Sequence, residues 1–307
     1  MSLDGEAIDG AGIERLLRHT LGIDARKIER VGAGAWSQCF GFAEPTGEYV
    51  IRVGRFVDDF ERDRVAHRYC SRDLPIPEVT AIGQAFGGHY AISTRAPGTP
   101  LELCAPRERP PLVPAVVRVL AALREAEPVG DGFGIWDHTG TAAHSTWRSF
   151  LMEIADDEPH HRIHGWSQKL RRSEGGGARF ARFLHVLDEV AVDDVPRSII
   201  HSDLINRNVH VQSSRVTGVF DWGCSAYGDH LFDLAWFEFW SPWHPNLDLV
   251  PLRATIADAL GAQVEQRFLA CLLYIGLAHI VYNAHLDNWP EVANVERRLA
   301  EVHGQFG

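Results

Sequence analysis

The pattern of hydrophobic and polar positions changes about one third of the way along the chain. Across residues 28–53, short apolar runs alternate with glycines and with a turn at Pro45-Thr46-Gly47, which predicts a small antiparallel sheet. Residues 79–82 and 89–93 predict a second strand pair. A helix is expected over residues 12–20, and another over 58–71 that ends before Pro75. The first third of the chain is therefore predicted to be rich in sheet.

Helical spacing dominates beyond Ala96-Pro97-Gly98. The predicted helices cover residues 112–126, 146–155, 178–190, 229–240, 252–260 and 264–286. One group of short strands interrupts them, at residues 198–200, 209–211 and 216–220. We therefore predict an α+β fold of two lobes, with a small antiparallel-sheet lobe over residues 1–96 and a larger, mainly helical lobe over 97–307. A cleft at the hinge between two such lobes is a common ligand site.

Composition narrows the class of protein. The chain of 307 residues carries 30 Lys and Arg against 41 Asp and Glu, a net charge of −11. That charge argues against a nucleic-acid partner and suits a cationic small molecule. The cysteines are scattered without a C-x-x-C pair, which is typical of a reducing compartment rather than of a disulfide framework. Acidic residues interrupt the first 20 positions, and no apolar run reaches the roughly 20 residues that span a bilayer. We expect a cytoplasmic monomer without a membrane partner.

The strongest chemical signal is the spacing of three polar residues around a predicted hairpin. Asp203 and Asn208 lie in the loop before strand 209–211, and Asp221 follows the returning strand 216–220. The hairpin is therefore expected to bring Asp221 back towards the other two. Mg²⁺ takes oxygen ligands, which suits Asn208 and Asp221, while Asp203 can orient and deprotonate an acceptor hydroxyl. Either residue type alone would indicate a turn cap, but the pattern H-x-D-x-x-x-x-N followed by a strand-borne Asp predicts phosphoryl transfer.

The expected phosphate contacts lie between the first strands. Gly32 and Gly34 form a G-x-G in which Ser37 takes the place of a third glycine, and its hydroxyl could bind a phosphate. A lone G-x-G more often marks a tight turn. Arg52 ends a predicted strand, and its planar fork suits bidentate binding of the α- and β-phosphates. A surface arginine on an edge strand is the alternative.

Three segments carry a resemblance to a known family. Residues 201–208, the run Val219-Phe220-Asp221-Trp222 and residues 228–235 resemble the motifs of the aminoglycoside phosphotransferase family, which has a protein-kinase-like fold. Flanking matches over most of residues 30–290 point to the subgroup that phosphorylates hygromycin B. The resemblance implies an ATP- and Mg²⁺-dependent O-phosphotransferase that acts on an aminocyclitol antibiotic, with GTP as the other possible nucleotide. A metabolic kinase for choline, homoserine, a sugar or a macrolide is the alternative, since one fold hosts many functions.

The resemblance also implies further nucleotide contacts. Kinases usually carry lysine at the position of Arg52. Asp63 precedes Pro75 by the spacing of the family's acidic helix residue, so it is expected to pair with Arg52, with Glu61 as the alternative. The adenine base is expected to hydrogen-bond to backbone between Ser93 and Ala96.

The acceptor site is expected in the second lobe. Glu238, Trp240 and Trp243 are the candidates, because carboxylates hold cations and indole rings stack on sugars. Burial in a helix core is the alternative for the tryptophans. Arg207 would place a cation beside this pocket, which repels a polyamine unless an acid neutralises it.

Supporting roles are expected for three residues near the motifs. His201 is expected to brace the catalytic loop rather than to carry protons. Asp229 is expected to cap a helix, and Asp233 is expected to be structural.

Overall fold

The computed structural model describes residues 2–3, 6–34, 36–204, 208–243 and 263–306, and it confirms the α+β class. Arg207 and the predicted helix over 252–260 lie outside the described residues. The strands are β1 Ser2–Leu3, β2 Glu6–Ala7, β3 Arg26–Ala33, β4 Ser37–Glu44, β5 Gly47–Gly54, β6 Val79–Ala85, β7 Gly88–Thr94, β8 Thr99–Pro100, β9 Phe133–Trp136, β10 Ala142–His144, β11 Arg197–Ile200, β12 Val209–Gln212, β13 Arg215–Val219 and β14 Ala226–Asp229. The helices are α1 Gly10–Arg15, α2 Val57–Ala66, α3 Val113–Glu125, α4 Trp147–Met152, α5 Trp166–Arg172, α6 Gly176–Val190, α7 Leu231–Trp240, α8 Val264–His285 and α9 Trp289–Phe306.

The chain forms two compact units that interleave along the sequence. Unit 1 comprises Met1–Cys104, Asp137–Gly140 and Asn206–Cys224, and unit 2 comprises Ala105–Trp136, Thr141–Ile205 and Ser225–Gly307. The division at residues 96 and 97 into a nucleotide-binding lobe and a catalytic lobe stays a prediction about function.

Unit 1 is built on a five-stranded antiparallel sheet in the order β3-β4-β5-β7-β6. The turn expected at Pro45-Thr46-Gly47 joins β4 to β5, whose register runs from Glu44 opposite Gly47 to Ser37 opposite Gly54. Alternate side chains on these strands, such as Phe40 and Ile51, are buried against α1 and the turn that follows it. Arg52 lies between the core residues Ile51 and Val53, so its side chain leaves the sheet on the opposite face.

A second sheet of unit 1 carries the predicted hairpin. Strands β12 and β13 pair antiparallel, and Ser213 and Ser214 turn the chain with φ of 50° and 59°. Strand β8, which the sequence did not predict, pairs with β12 at its outer edge. The third member of the predicted strand group is placed differently, because β11 belongs to a sheet of unit 2. All three predicted strands are therefore present, and they are divided between two sheets.

Unit 2 contains a four-stranded sheet, β10-β9-β14-β11, and helices α3 to α9. The helix predicted to begin at Asp229 begins instead at Leu231, because residues Ala226–Asp229 pair with β11 as strand β14. Strands β9 and β10 and helices α5 and α9 were also not predicted. Short strands such as β9 and β10 form because they pair with other segments of the chain. Such strands are too short to show an alternation of apolar and polar positions in the sequence.

Helix α8 forms the centre of unit 2, where it packs against α6, α7 and α9. Within the described ranges it is the one helix that is long and apolar enough to cross a membrane by length and composition, with a mean hydropathy of 1.5. Inside the protein, 72% of that apolar window is buried. The helix predicted over residues 264–286 is thus confirmed, and it ends at His285.

Candidate functional site

Arg52 is the centre of a charged cluster in unit 1. Its Nη2 pairs with Oδ2 of Asp63 on α2, and its Nη1 lies 3.2 Å from Oδ1 of Asp221. The guanidinium also lies 4.8 Å from the ring of Phe60, a cation–π contact. Glu61, the alternative partner, pairs instead with Arg64 at 3.1 Å. The helix acid expected to face Arg52 is therefore Asp63.

The second oxygen of Asp63 binds backbone. The N–H of Trp222 donates to Asp63 Oδ1 at 2.9 Å, so one carboxylate holds both Arg52 and the segment after Asp221. Burial raises the pKa of Asp63 to about 6, although the Arg52 guanidinium acts in the opposite direction. Burial alone would lower the pKa of Arg52, but Asp63 and Asp221 outweigh it and raise that pKa above its ordinary value. Arg52 therefore stays cationic at every relevant pH.

Asn208 and Asp221 lie at one end of the β12–β13 hairpin, as the sequence predicted. The N–H of Phe220 donates to the carbonyl of Asn208 at 2.9 Å, which fixes the two segments side by side. Asn208 is buried, whereas the Asp221 side chain is 51% exposed. Asp221 has φ of 62°, a left-handed conformation that is uncommon for residues other than glycine and is often found at functional sites.

The donor set fits a magnesium ion. Asp221 and Asn208 supply a carboxylate and an amide oxygen, which are hard ligands, and the Asp221 carboxylate already holds a cationic group. No group of three or more His, Cys, Asp and Glu side chains is arranged for a metal within the described ranges. A metal here would therefore need water and phosphate oxygens as well, which is the usual situation for Mg²⁺ in kinases.

The glycine pair leaves open space at the end of strand β3. The N–H of Gly34 donates to the carbonyl of Ser37 at 2.9 Å, which closes the turn into β4. A Cβ added at Gly32 would meet nothing within 4 Å, and one at Gly34 would meet only Ser37 Oγ, at 3.7 Å. Packing within the part of the chain that the structure describes does not require either glycine. The space is suitable for phosphate oxygens close to the backbone.

The segment expected to contact adenine follows strand β7. Ser93 is paired with Val50 in β5 and with Val79 in β6, and Ala96 lies beyond the end of the strand. The sequence missed a neighbour of Ala96, His210 of β12. Its ring hydrogen-bonds to the Ala96 backbone and meets the Phe220 ring edge to face at 4.7 Å. Burial lowers the pKa of His210, so its ring is neutral near pH 7. The sequence signal that could have found His210 is its position two residues after Asn208, because residues two apart along a strand lie on the same face.

The loop of unit 2 that contains Asp203 is anchored by Asp233. Its carboxylate accepts the N–H of His201 at 2.9 Å and the N–H of Ser202 at 2.8 Å. The buried His201 ring accepts the N–H of Asp203 at 3.2 Å through Nδ1, and its carbonyl accepts the Ser225 hydroxyl at 3.2 Å. Ser202 has φ of 64°, so this loop also contains a left-handed residue. His201 and Asp233 thus hold the backbone that presents Asp203.

Asp229 is a buried ion-pair residue. It ends strand β14, and both of its oxygens accept hydrogen bonds at 2.7 Å from Arg267 of α8. The N–H of Leu231 donates to Asp229 Oδ1 at 3.1 Å, so the expected contact with the start of the helix is present. The capping position itself belongs to His230. The sequence contained no signal for Arg267, which lies 38 residues further along the chain.

The acceptor candidates lie on two sides of helix α7. Glu238 Oε1 is 3.9 Å from Arg298 of α9. The Trp240 ring packs against His279 at 4.6 Å and against Trp243 at 5.4 Å, and Trp243 is 39% exposed. Positions two apart on a helix do not face each other. The structure therefore brings the two tryptophans together and separates them from Glu238.

Solved aminoglycoside phosphotransferases share this fold. The crystal structure of aminoglycoside phosphotransferase APH(4)-Ia matches with a TM-score of 0.83 at 27% identity, over 96% of this chain and 98% of that one. A thermostable mutant of APH(4)-Ia in ternary complex with AMP-PNP and hygromycin B matches with a TM-score of 0.83 at 29% identity, over 95% and 97% of the two chains. The GDP complex of wild-type aminoglycoside 2'-phosphotransferase-IIIa has a TM-score of 0.61 at 13% identity, over 97% and 99%, which shows the fold alone.

The sequence shows the same relationship. Hygromycin-B 4-O-kinase of Escherichia coli is 32% identical over 223 residues, which are 70% of this chain and 63% of that enzyme. The match thus spans somewhat less than two thirds of the relative's length. The family model described as "Phosphotransferase enzyme family" matches residues 27–271. Since that match covers well over half of the chain and the kinase-like fold agrees with it, this protein belongs to the phosphotransferase enzyme family.

Proposed function

We propose that this protein is an ATP- and Mg²⁺-dependent phosphotransferase that phosphorylates a hydroxyl group of an aminocyclitol antibiotic, with hygromycin B as the first candidate. The observation that carries the proposal is the salt bridge between Arg52 and Asp221 at 3.2 Å. This salt bridge joins the Arg52 guanidinium, whose planar geometry suits phosphate oxygens, to the Asp221 carboxylate, which suits a metal ion. Phosphoryl transfer depends mainly on such charge placement.

The nucleotide would be held by residues of unit 1. Gly32, Gly34 and Ser37 would cover the phosphates, and Arg52 would bind the α- and β-phosphates while Asp63 orients it. The base would lie against the backbone from Ser93 to Ala96. Asn208 and Asp221 would hold Mg²⁺, which neutralises charge that develops on the transferred phosphoryl group. ATP is favoured over GTP because the AMP-PNP complex that matches this chain is 29% identical to it.

Asp203 would orient and deprotonate the acceptor hydroxyl. Its place five residues before Asn208, in the pattern H-x-D-x-x-x-x-N, supports this role. Asp233 and His201 hold the backbone on which Asp203 lies. An ordinary aspartate is a weak base, so its orientation of the hydroxyl is an important part of its role.

The antibiotic assignment rests on the named relatives and on charge. The 32% identical relative is a hygromycin B kinase, and a chain with a net charge of −11 attracts a cationic acceptor. Trp240 and Trp243, which pack on each other, would contact this acceptor, whereas Glu238 lies apart from them beside Arg298. We expect the protein to act as a monomer in the cytoplasm.

A coupled assay of ADP release tests the proposal with hygromycin B, other aminoglycosides, choline, homoserine, sugars and macrolides as acceptors. Turnover is expected with hygromycin B. Turnover with choline or a sugar, and with no aminoglycoside, would instead identify a metabolic kinase.

Asp203→Asn is the control for the chemistry in that assay. Positioned acid–base help is worth about 10²–10⁴ in rate, so turnover should fall by that factor while calorimetric nucleotide affinity stays within about twofold. Equal turnover in the variant would remove Asp203 from the reaction.

A further inference from the structure

The Arg52–Asp221 contact places a cationic side chain on a carboxylate expected to bind metal. Arg52 Nη1 lies 3.2 Å from Asp221 Oδ1, while its Nη2 is bound by Asp63. The Arg52 and Asp63 side chains are only 15% and 16% exposed, but Asp221 is 51% exposed. The Arg52 guanidinium is therefore anchored through Nη2 by the mostly buried Asp63, while Nη1 contacts the more exposed carboxylate of Asp221.

Arginine is suited to this double contact. Its two terminal nitrogens are held in one plane and can bind two acceptors at once, whereas a lysine ammonium is a single point charge. The Phe60 ring, which is buried, supports the guanidinium at 4.8 Å. Release of Asp221 therefore requires only that Nη1 find another acceptor, because Asp63 and Phe60 keep the rest of the group in place.

A divalent cation must compete with this arrangement. An ion that binds Asp221 at Oδ1 displaces Nη1 and then lies close to a guanidinium, which keeps its positive charge in proteins. Nucleotide phosphates can accept two parallel hydrogen bonds from a guanidinium, whereas Asp221 accepts only one from Arg52. They offer Nη1 a replacement and bring negative charge at the same time.

We infer that Arg52 makes the metal site dependent on nucleotide: in the protein without nucleotide its guanidinium occupies Asp221 in place of a divalent cation, and phosphates free that carboxylate. The inference deepens the proposed function, since it takes Asp221 as a metal ligand. It makes Asp63 the anchor of this exchange, because Asp63 holds Arg52 while Nη1 moves.

Electron paramagnetic resonance of Mn²⁺ tests the inference with the full-length protein and no nucleotide. The wild-type protein should show no saturable binding below millimolar Mn²⁺. Arg52→Gln removes the cation that competes for the Asp221 carboxylate, so its affinity for Mn²⁺ should rise at least about tenfold. The double variant Arg52→Gln with Asp221→Asn should lose that gain.

Arg64→Gln is the matched control, because it removes one positive charge from α2 at a residue that pairs with Glu61 rather than with Asp221. Its Mn²⁺ affinity should equal that of the wild type. Saturable binding of micromolar Mn²⁺ by the wild-type protein would overturn the inference, and this measurement does not depend on the folding of any variant. An Arg52→Gln affinity equal to the wild type, in a variant with native circular dichroism, would also overturn it.

The titration contains neither nucleotide nor acceptor, so its result is separate from the turnover assay. A gain in Mn²⁺ affinity without turnover of any antibiotic would retain the inference and refute the proposed substrate. Turnover of hygromycin B without a gain in Mn²⁺ affinity in Arg52→Gln would support the proposed substrate and refute the inference.

Discussion

Asp63 binds Arg52 through one carboxylate oxygen and the backbone N–H of Trp222 through the other, at 2.9 Å. A single side chain of α2 thus determines where a strand residue and the segment after Asp221 lie. The neighbouring residue of α2 supports the same segment, because Arg62 Nη1 donates a hydrogen bond to the carbonyl of Gly223 at 3.0 Å. The position of α2 and the geometry of Asp221 are therefore coupled within unit 1.

Replacement of Asp63 by alanine should destabilise the protein strongly. It leaves Arg52 with one carboxylate instead of two and leaves the Trp222 N–H without its acceptor. Loss of one partner of a mostly buried ion pair costs about 3–5 kcal/mol, measurable as the free energy of unfolding in urea. Glu61→Ala on the same helix should cost less than about 0.5 kcal/mol, because its pair with Arg64 lies near the surface. Similar costs for the two variants would contradict the role of Asp63.

The pH dependence of stability should show the ionisation of Asp233. Burial raises the pKa of this carboxyl from 3.8 to about 6 in the folded protein, although two backbone N–H groups act in the opposite direction. Because the folded-state pKa is above the unfolded one, the contribution to stability is complete below pH 3.8 and is lost as pH rises through about 6. A shift of this size corresponds to about 3 kcal/mol.

Asp233→Asn isolates that contribution. The difference in unfolding free energy between wild type and variant should change between pH 4 and pH 6.5 and stay constant above pH 7. The amide accepts only one of the two N–H groups that the carboxylate accepts, so the variant should also lose about 1–3 kcal/mol at neutral pH. A difference that is constant across this range would show that Asp233 does not titrate there.

Gly98→Ala should be among the most damaging single-methyl changes. Gly98 has φ of 98°, and a Cβ there would lie 2.4 Å from the carbonyl oxygen of Val211 in β12. Backbone strain and displacement of the strand that follows Asn208 should cost about 3 kcal/mol in thermal or urea unfolding. Gly304→Ala in α9 is the control, because its Cβ would meet nothing within 4 Å and alanine favours helix by up to about 1 kcal/mol. A neutral Gly98→Ala would show that β8 and β12 adapt readily.

Trp243→Ala should affect the acceptor rather than the fold. The residue is 39% exposed and its ring packs on Trp240 at 5.4 Å, so the ring can present one face to a sugar. The KM for the antibiotic should rise about tenfold, which corresponds to a contact of about 1.4 kcal/mol, while stability changes by less than about 1 kcal/mol. Leu286→Ala, an exposed apolar residue of the same unit, should leave KM unchanged. An unchanged KM in Trp243→Ala would remove this residue from the acceptor site.

The sequence by itself determined the local elements and the types of chemical group. The hairpin β4–β5 follows from Pro45-Thr46-Gly47 between apolar runs, and the hairpin β12–β13 follows from the two short apolar runs at residues 209–211 and 216–220. In both, the turn and the two-residue period determine register within about twenty residues. The order Asp203, Asn208, Asp221 indicated a base and two metal ligands for the same reason, since a hairpin brings its own ends together.

Tertiary structure decided what depends on distant partners. It joined Arg52 to Asp221 across 169 residues and Asp229 to Arg267 across 38, and it separated β11 from the hairpin that follows it. It also placed Glu238 and Trp240 on different sides of α7. These contacts are stable because burial removes water from charged and apolar groups, so that a suitable partner becomes necessary. Which partner is available depends on how the whole chain packs, and no local pattern contains that information.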